Sequence, residues 1–527
     1  MRIGVFIAAA LWLTPVVTVG VIGLGMSPIA AVVIASLLAV AVAWWASGFL
    51  ATMLAAALAG RYVLTAVATI MAVVAIVLVA RESVYMADST QPAYSVIPGD
   101  PWRVEHSCMS AYFEAARFVQ AGTDNVYDSK LYQPRHIGTL KVDSYHYPPP
   151  FLLVPRALQL ISTDFLQLRA LWFAIQAIVL AGAIAGVATW IGGTIGAFAS
   201  IGGIFFLSAP TVLYSLQMGN FQSTAMALGA VAMIFLVTRR IRTGALILAY
   251  VALSKIFPGL LVVYLLLARQ WRAAAWTAGA GVALLVLSVW VLGTQPIADF
   301  VHHEMPAIAN GQAFPQSERL NVAQSNQSIY GLTVRLRFLG ASWLDQPTGL
   351  RAASLYGLLI VALAAFSGWK GRIDLSNPAG RALFVQTIIA LLSLASFRSP
   401  FVGGPYGLVS TLWLLTLLTA SARTQKSAAL WALAFVVCAV GNLMTPSPNF
   451  APTDFWLVAS GGILVLAVGV SVWAVFVALQ TPAGCSQDPS LECLTQKPGT
   501  SSIAGLVCLH NIQISYPRAS NGKPRVG

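Results

Sequence analysis

The chain has 527 residues, 58% of them hydrophobic and only 9% charged, with a mean hydropathy of +0.78 and a formal net charge of +13. Soluble domains carry roughly a quarter charged residues, so the composition excludes a soluble globular protein and implies an all-α polytopic membrane protein. The positive charge lies in short loops and a basic tail instead of on one face of a soluble domain, which argues against a nucleic-acid partner.

Apolar runs of spanning length, about 17–25 residues, occur near 4–25, 28–48, 62–80, 166–187, 192–213, 223–238, 274–293, 352–368, 382–397, 405–421, 428–444 and 455–479. They predict twelve spans. The first follows Arg2 as a signal peptide would, but further spans come at once and it reads as a retained helix. The short basic loops (Arg61; Arg239, Arg240 and Arg242; Arg269 and Arg272; Lys370 and Arg372; Arg423 and Lys426) belong inside by the positive-inside rule, which puts 81–165, 214–222, 294–350 and 445–454 outside.

The stretch Asp100–Pro155 is the long polar segment of an otherwise apolar chain. It holds His106, His136 and His146, the acids Asp100, Glu105, Glu114, Asp124, Asp128 and Asp143, and the run Tyr145-His146-Tyr147-Pro148-Pro149-Pro150-Phe151. Apolar positions recur at helical spacing up to Ala121-Gly122, where a glycine cap ends them, and predict an interfacial helix over about 104–120. In such a helix Glu105 and Cys108 share a face, one turn apart. Trp102, Tyr112, Tyr127, Tyr145, Tyr147 and Phe151 suit either stacking on sugar rings or a belt at headgroup level.

Farther along, Gln217-Met218-Gly219-Asn220-Phe221-Gln222 joins two spans, its amides fitting turn chemistry or sugar recognition. Next comes Thr243–Leu267, long enough for one span but flanked by basic residues at both ends. Two half-helices, 244–253 and 256–268, resolve the conflict if they meet at Ser254-Lys255-Ile256-Phe257-Pro258-Gly259 and form a re-entrant hairpin. Lys255 is then an ionisable residue at membrane depth, suited to a carrier phosphate or, more plainly, to snorkelling. The second external loop offers Asp299, His302, His303, Glu304, Arg319 and the polar run from Asn321 through Ser328. Adjacent histidines rarely address one ion, so hydrogen bonding suits His302 and His303 better than metal binding. The five cysteines (Cys108, Cys438, Cys485, Cys493 and Cys508) show no metal-ligand spacing, and no metal, disulfide or cofactor is expected. Residues 1–480 form the predicted membrane domain; 481–527 reads as a disordered cytoplasmic tail.

The order of Tyr112-Phe113-Glu114-Ala115-Ala116-Arg117, Gly122, Tyr127-Asp128, Tyr147-Pro148-Pro149-Pro150-Phe151, Gln217, Gly219-Asn220, Gln222, Lys255-Ile256-Phe257-Pro258 and Arg269-Gln270-Trp271-Arg272 resembles glycosyltransferase family 87 over about 100–330. The resemblance implies a GT-C-like fold in a bacterial plasma membrane. It also implies inverting transfer of a sugar, mannose or similar, from a polyprenyl-phosphate carrier to a lipid or glycan acceptor at the extracytoplasmic face. The family's base, an aspartate of the first external loop, falls on Cys108 here. A thiol is a poor base for a hydroxyl, so the expected base is Glu105, with Asp100 next, unless activity is lost. His146, Tyr147, Gln217, Asn220 and Cys108 are the expected substrate wall; Lys255, His302, His303 and Arg319 are the expected donors to the phosphate. A transporter or flippase is the competing class, although no pair of similar halves is visible.

Overall fold

A computed structural model describes residues 2–371, 373–441 and 453–480, all within one unit, Met1–Ala483. The predicted tail 481–527 with its three cysteines, Arg372 and most of the predicted loop 445–454 lie outside the described residues.

Uninterrupted apolar sequence makes the first three helices, α1 (Arg2–Gly23), α2 (Pro28–Leu58) and α3 (Tyr62–Ala87). The first long loop then carries α4 (Pro101–Glu105), α5 (Cys108–Gln120) and α6 (Leu153–Leu158), with strands β1 (His106–Ser107), β2 (His136–Ile137) and β3 (Leu140–Val142). After it come α7 (Phe165–Ile191), α8 (Gly193–Ser208), α9 (Pro210–Met218), α10 (Phe221–Val237), α11 (Ile241–Lys255), α12 (Leu260–Leu267) and α13 (Trp271–Leu292). The second long loop holds α14 (Gln295–Asp299), α15 (Met305–Ala309), α16 (Leu320–Ala323) and α17 (Ile329–Phe338). The chain closes with α18 (Gln346–Lys370), α19 (Pro378–Ser396), α20 (Gly404–Ala420), α21 (Gln425–Gly441) and α22 (Thr453–Gln480).

Each predicted run is helical, but length sorts them. Among the described residues eight helices are long and apolar enough to cross a membrane, nine if α8 and α9 are one span bent by 61°. Pro210, at the first position of α9, lacks the amide that would continue α8. The predicted spans 223–238, 405–421 and 428–444 correspond to α10, α20 and α21, of 17 residues each.

The chain breaks at the hexapeptide read as a breaker. α11 ends at Lys255, and Ile256 takes φ 59°, ψ −52° before Pro258, a strained positive-φ turn for a β-branched residue. Arg242 stacks over Trp276 at 5.2 Å, and Leu253 lies against Gly281, so α11 and α13 run in the same direction. The intervening α12 therefore carries the chain back, its last turn pressed on Gly368 of α18, where a Cβ would sit 2.4 Å from the Tyr264 carbonyl oxygen.

The helix expected over 104–120 is interrupted. His106 and Ser107 pair in parallel with Lys141 and Val142, and β2 flanks β3 on the other side. The interruption separates Glu105, at the end of α4, from Cys108, the first residue of α5, so the shared face anticipated for them does not exist. Ladder hydrogen bonds to a strand more than thirty residues away outcompete local helical periodicity. Arg169 of α7 secures the entry to this loop, donating to the carbonyls of Tyr85 and Met86 at 2.8 and 3.3 Å.

Candidate active site

One cavity of about 1450 Å³ opens where the first loop, the α9–α10 turn, the α11–α12 break, the second loop and the α19–α20 connection meet. Its corner is built by the small sheet. β1 leads into Cys108 and β3 into Asp143, while the Ser110 hydroxyl donates to the Ser107 carbonyl at 2.6 Å and accepts from the Asp143 amide at 2.9 Å. That stitch brings His106 Nδ1 to 3.2 Å from Asp143 Oδ1, and His106 Nε2 faces Cys108 Sγ at 3.8 Å. Trp102 stacks on the imidazole, ring centroids 4.4 Å apart. Burial pulls the imidazole pKa down, but the Asp143 carboxylate, then the hydrogen bond to it and the neighbouring Cys108, lift it to about 10. Without a ligand the corner is an imidazolium–carboxylate pair.

From this corner the wall continues in amides and aromatic rings. Gly219, at φ 68°, ends α9 and leaves no room for a Cβ against Met109, at 3.1 Å. Asn220 then caps α10 by accepting from the Gln222 amide at 2.9 Å, donates to Cys108 Sγ at 3.4 Å and accepts from the Tyr147 hydroxyl at 3.4 Å. Tyr112 donates to the Tyr147 hydroxyl at 2.8 Å. The Lys255 ammonium stands 4.4 Å from the centre of the Tyr147 ring, and among the described residues no carboxylate forms an ion pair with it.

Several expected residues stand elsewhere. Glu105 pairs with Lys141 at 2.5 Å and is not on the cavity wall; Asp100 is on it, but pairs with Arg103 at 3.0 Å and caps α4. Gln217 is consumed in structure, accepting from the Val96 amide at 2.8 Å and donating to the Arg103 carbonyl at 3.1 Å. His302 and His303 lie exposed on a π-helical turn, Phe300–Glu304, outside the cavity; Glu304 faces in and holds His146 Nδ1 at 2.8 Å. Arg319 lines the cavity, as expected. The polar run after Asn321 binds its own chain: Asn326 and Ser328 donate to the Pro400 carbonyl at 3.0 and 3.2 Å. Most of the aromatics are core instead of belt or platform, Tyr112, Tyr145 and Phe151 being fully buried.

Asp143, Arg398 and Tyr214 are among the cavity residues not singled out from the sequence. Asp143 was one acid among many until β3 aimed it; Arg398 lies in a loop too short to attract notice. Among the described residues the Tyr214 hydroxyl and the Gln222 amide nitrogen are buried behind the wall without a hydrogen-bond partner, and buried polar groups of native proteins are nearly always paired. The Gln217–Gln222 segment carried the signal for Gln222.

No curated protein matches the chain. The family resemblance is borne out from the PPPF run onward, since residues 145–400, which include Tyr147, Asn220, Lys255 and Arg319, match the model of glycosyltransferase family 87, and this match indicates a membrane glycosyltransferase.

Proposed function

We propose that the protein is an inverting, GT-C-like glycosyltransferase that moves a sugar, mannose or similar, from a polyprenyl-phosphate carrier to a lipid or glycan acceptor at the extracytoplasmic face of a bacterial plasma membrane. The observation that carries this reading is one cavity combining an ammonium without a carboxylate partner, Lys255, with a carboxylate corner at Asp143. Lys255, with Arg319 and Arg398 also lining the cavity, supplies charge for the phosphate on which negative charge develops as it leaves. Asp143 takes the proton of the acceptor hydroxyl in the place first expected for Glu105 or Asp100. Attack on the anomeric carbon from the side opposite the phosphate inverts the configuration.

The test is purified protein in liposomes with a radiolabelled polyprenyl-phosphate sugar. Wild-type protein is expected to release free polyprenyl phosphate and yield a product of inverted anomeric configuration. Movement of intact donor across the bilayer without bond cleavage would establish a flippase instead, and neither outcome would leave an inactive relative. Cysteine labels at Ser129 and Gln316 are expected to react with an impermeant reagent from outside, and one at Thr243 is not.

A further inference from the structure

We propose that His106, Cys108 and Asp143 form a catalytic divalent-metal site of the zinc class at the corner of the cavity. The three side chains offer a nitrogen, a sulfur and a carboxylate oxygen, all within 4.8 Å of one another. In a tetrahedral site with Zn–N of 2.0–2.1 Å and Zn–S of 2.3 Å, the two ligand atoms lie roughly 3.6 Å apart; His106 Nε2 and Cys108 Sγ are 3.8 Å apart. The ion takes the place of the Nε2 proton and of the thiol proton; Asp143, which holds Nδ1 of the same imidazole at 3.2 Å, leaves that nitrogen to take the third position, and Trp102 stacks on the ring. A mixed nitrogen, sulfur and oxygen set is a borderline donor set that selects zinc over magnesium or calcium. Thiolate and carboxylate together neutralise a divalent charge, leaving Lys255 for a phosphate.

Three protein ligands with the fourth position open mark a catalytic site and not a structural one. All three residues line the cavity, so the open position faces whatever occupies it. The linear sequence hides this set: its members are two and thirty-five residues apart, and only the parallel pairing of β1 with β3 joins them. The site itself does not depend on the glycosyl-transfer reading; its role does. In that role the acceptor hydroxyl fills the open position and its proton passes to the uncoordinated oxygen of Asp143. The oxygen then bonds to the anomeric carbon as the bond from that carbon to the phosphate oxygen breaks, the electron pair leaving on the phosphate. A metal-activated hydroxyl explains how a cysteine stands where the family resemblance calls for a carboxylate.

The experiment uses the full chain with Cys438, Cys485, Cys493 and Cys508 changed to Ser, so that Cys108 is the sole thiol, stripped of metal and titrated with Co²⁺. The expected result is one equivalent bound, with a thiolate-to-cobalt charge-transfer band and the intense visible bands of a four-coordinate ion, both bleached by Zn²⁺. Cys108→Ser is expected to lose the charge-transfer band, and Asp143→Asn to weaken binding tenfold or more. A folded, monodisperse Cys108-only protein with no such band overturns the site, as does undiminished cobalt binding in His106→Ala. Cobalt bound as expected by a protein that releases no polyprenyl phosphate keeps the site and removes the glycosyltransferase reading. Full-rate transfer by metal-free protein overturns the role of the ion.

Discussion

At the corner of the cavity each charged group already has a partner: the His106 imidazolium faces Asp143, Cys108 receives the Asn220 amide, and Ser110 stitches the strands that carry them. At the tip of α11 the opposite holds. Lys255 stands over the face of Tyr147, next to a residue held at φ 59°, and among the described residues no carboxylate is ion-paired with it. A strained β-branched residue costs of order 1–3 kcal/mol, and the half-buried Lys255 ammonium gains no ion pair that would offset its partial loss of water. A fold that tolerates both at one point keeps a charge in reserve for a ligand, whereas the corner is organised before any ligand arrives. The two groups, linked through Tyr147 and Asn220, suit different tasks: orientation and proton transfer for the corner, capture of an anion for Lys255.

Three substitutions test that division, from the largest expected effect downward. Asp143→Asn keeps the shape of the corner but cannot accept a proton, and single-turnover transfer is expected to fall by about 10²–10⁴ while binding of the lipid-linked donor persists. A fall in donor affinity with the chemical rate intact would assign the corner to binding instead. Lys255→Gln removes one charged hydrogen bond to the phosphate, worth about 1.5–3 kcal/mol, so kcat/KM for the donor is expected to drop by roughly 10- to 150-fold. Unchanged donor kinetics would make Lys255 a snorkelling residue and end the contrast. Glu105→Gln breaks a half-exposed ion pair with Lys141, worth at most about 1 kcal/mol, and transfer is expected to stay within about twofold. Abolished transfer there would return the base to Glu105 and require the loop to rearrange on substrate binding.

The class of protein was legible because hydrophobicity is additive along the chain: twelve apolar runs became helices wherever burial in lipid or protein satisfies them, and Pro258 and Gly259 broke the chain where steric rules require. The position of Lys255 followed from the same local arithmetic of charge and length. Which runs count as spans was less legible, since α10 and α20 have 17 residues, at the lower limit of spanning length.

The corner was not legible for a different reason. Periodicity over 104–120 favoured a helix because it weighs only neighbours in sequence, while His106 and Ser107 are claimed by a strand at 140–142. Gln217 looked like a sugar ligand until its amide met Val96 and Arg103, and His302 and His303 looked like phosphate donors until the π-helical turn directed Glu304 inward instead. Sequence by itself determined what each segment is, helix, break or polar loop, because those properties arise from a residue and its near neighbours. Which polar side chains meet at one point was decided by the tertiary structure alone, because a cavity corner is made of groups from distant segments whose hydrogen-bond partners no local pattern encodes.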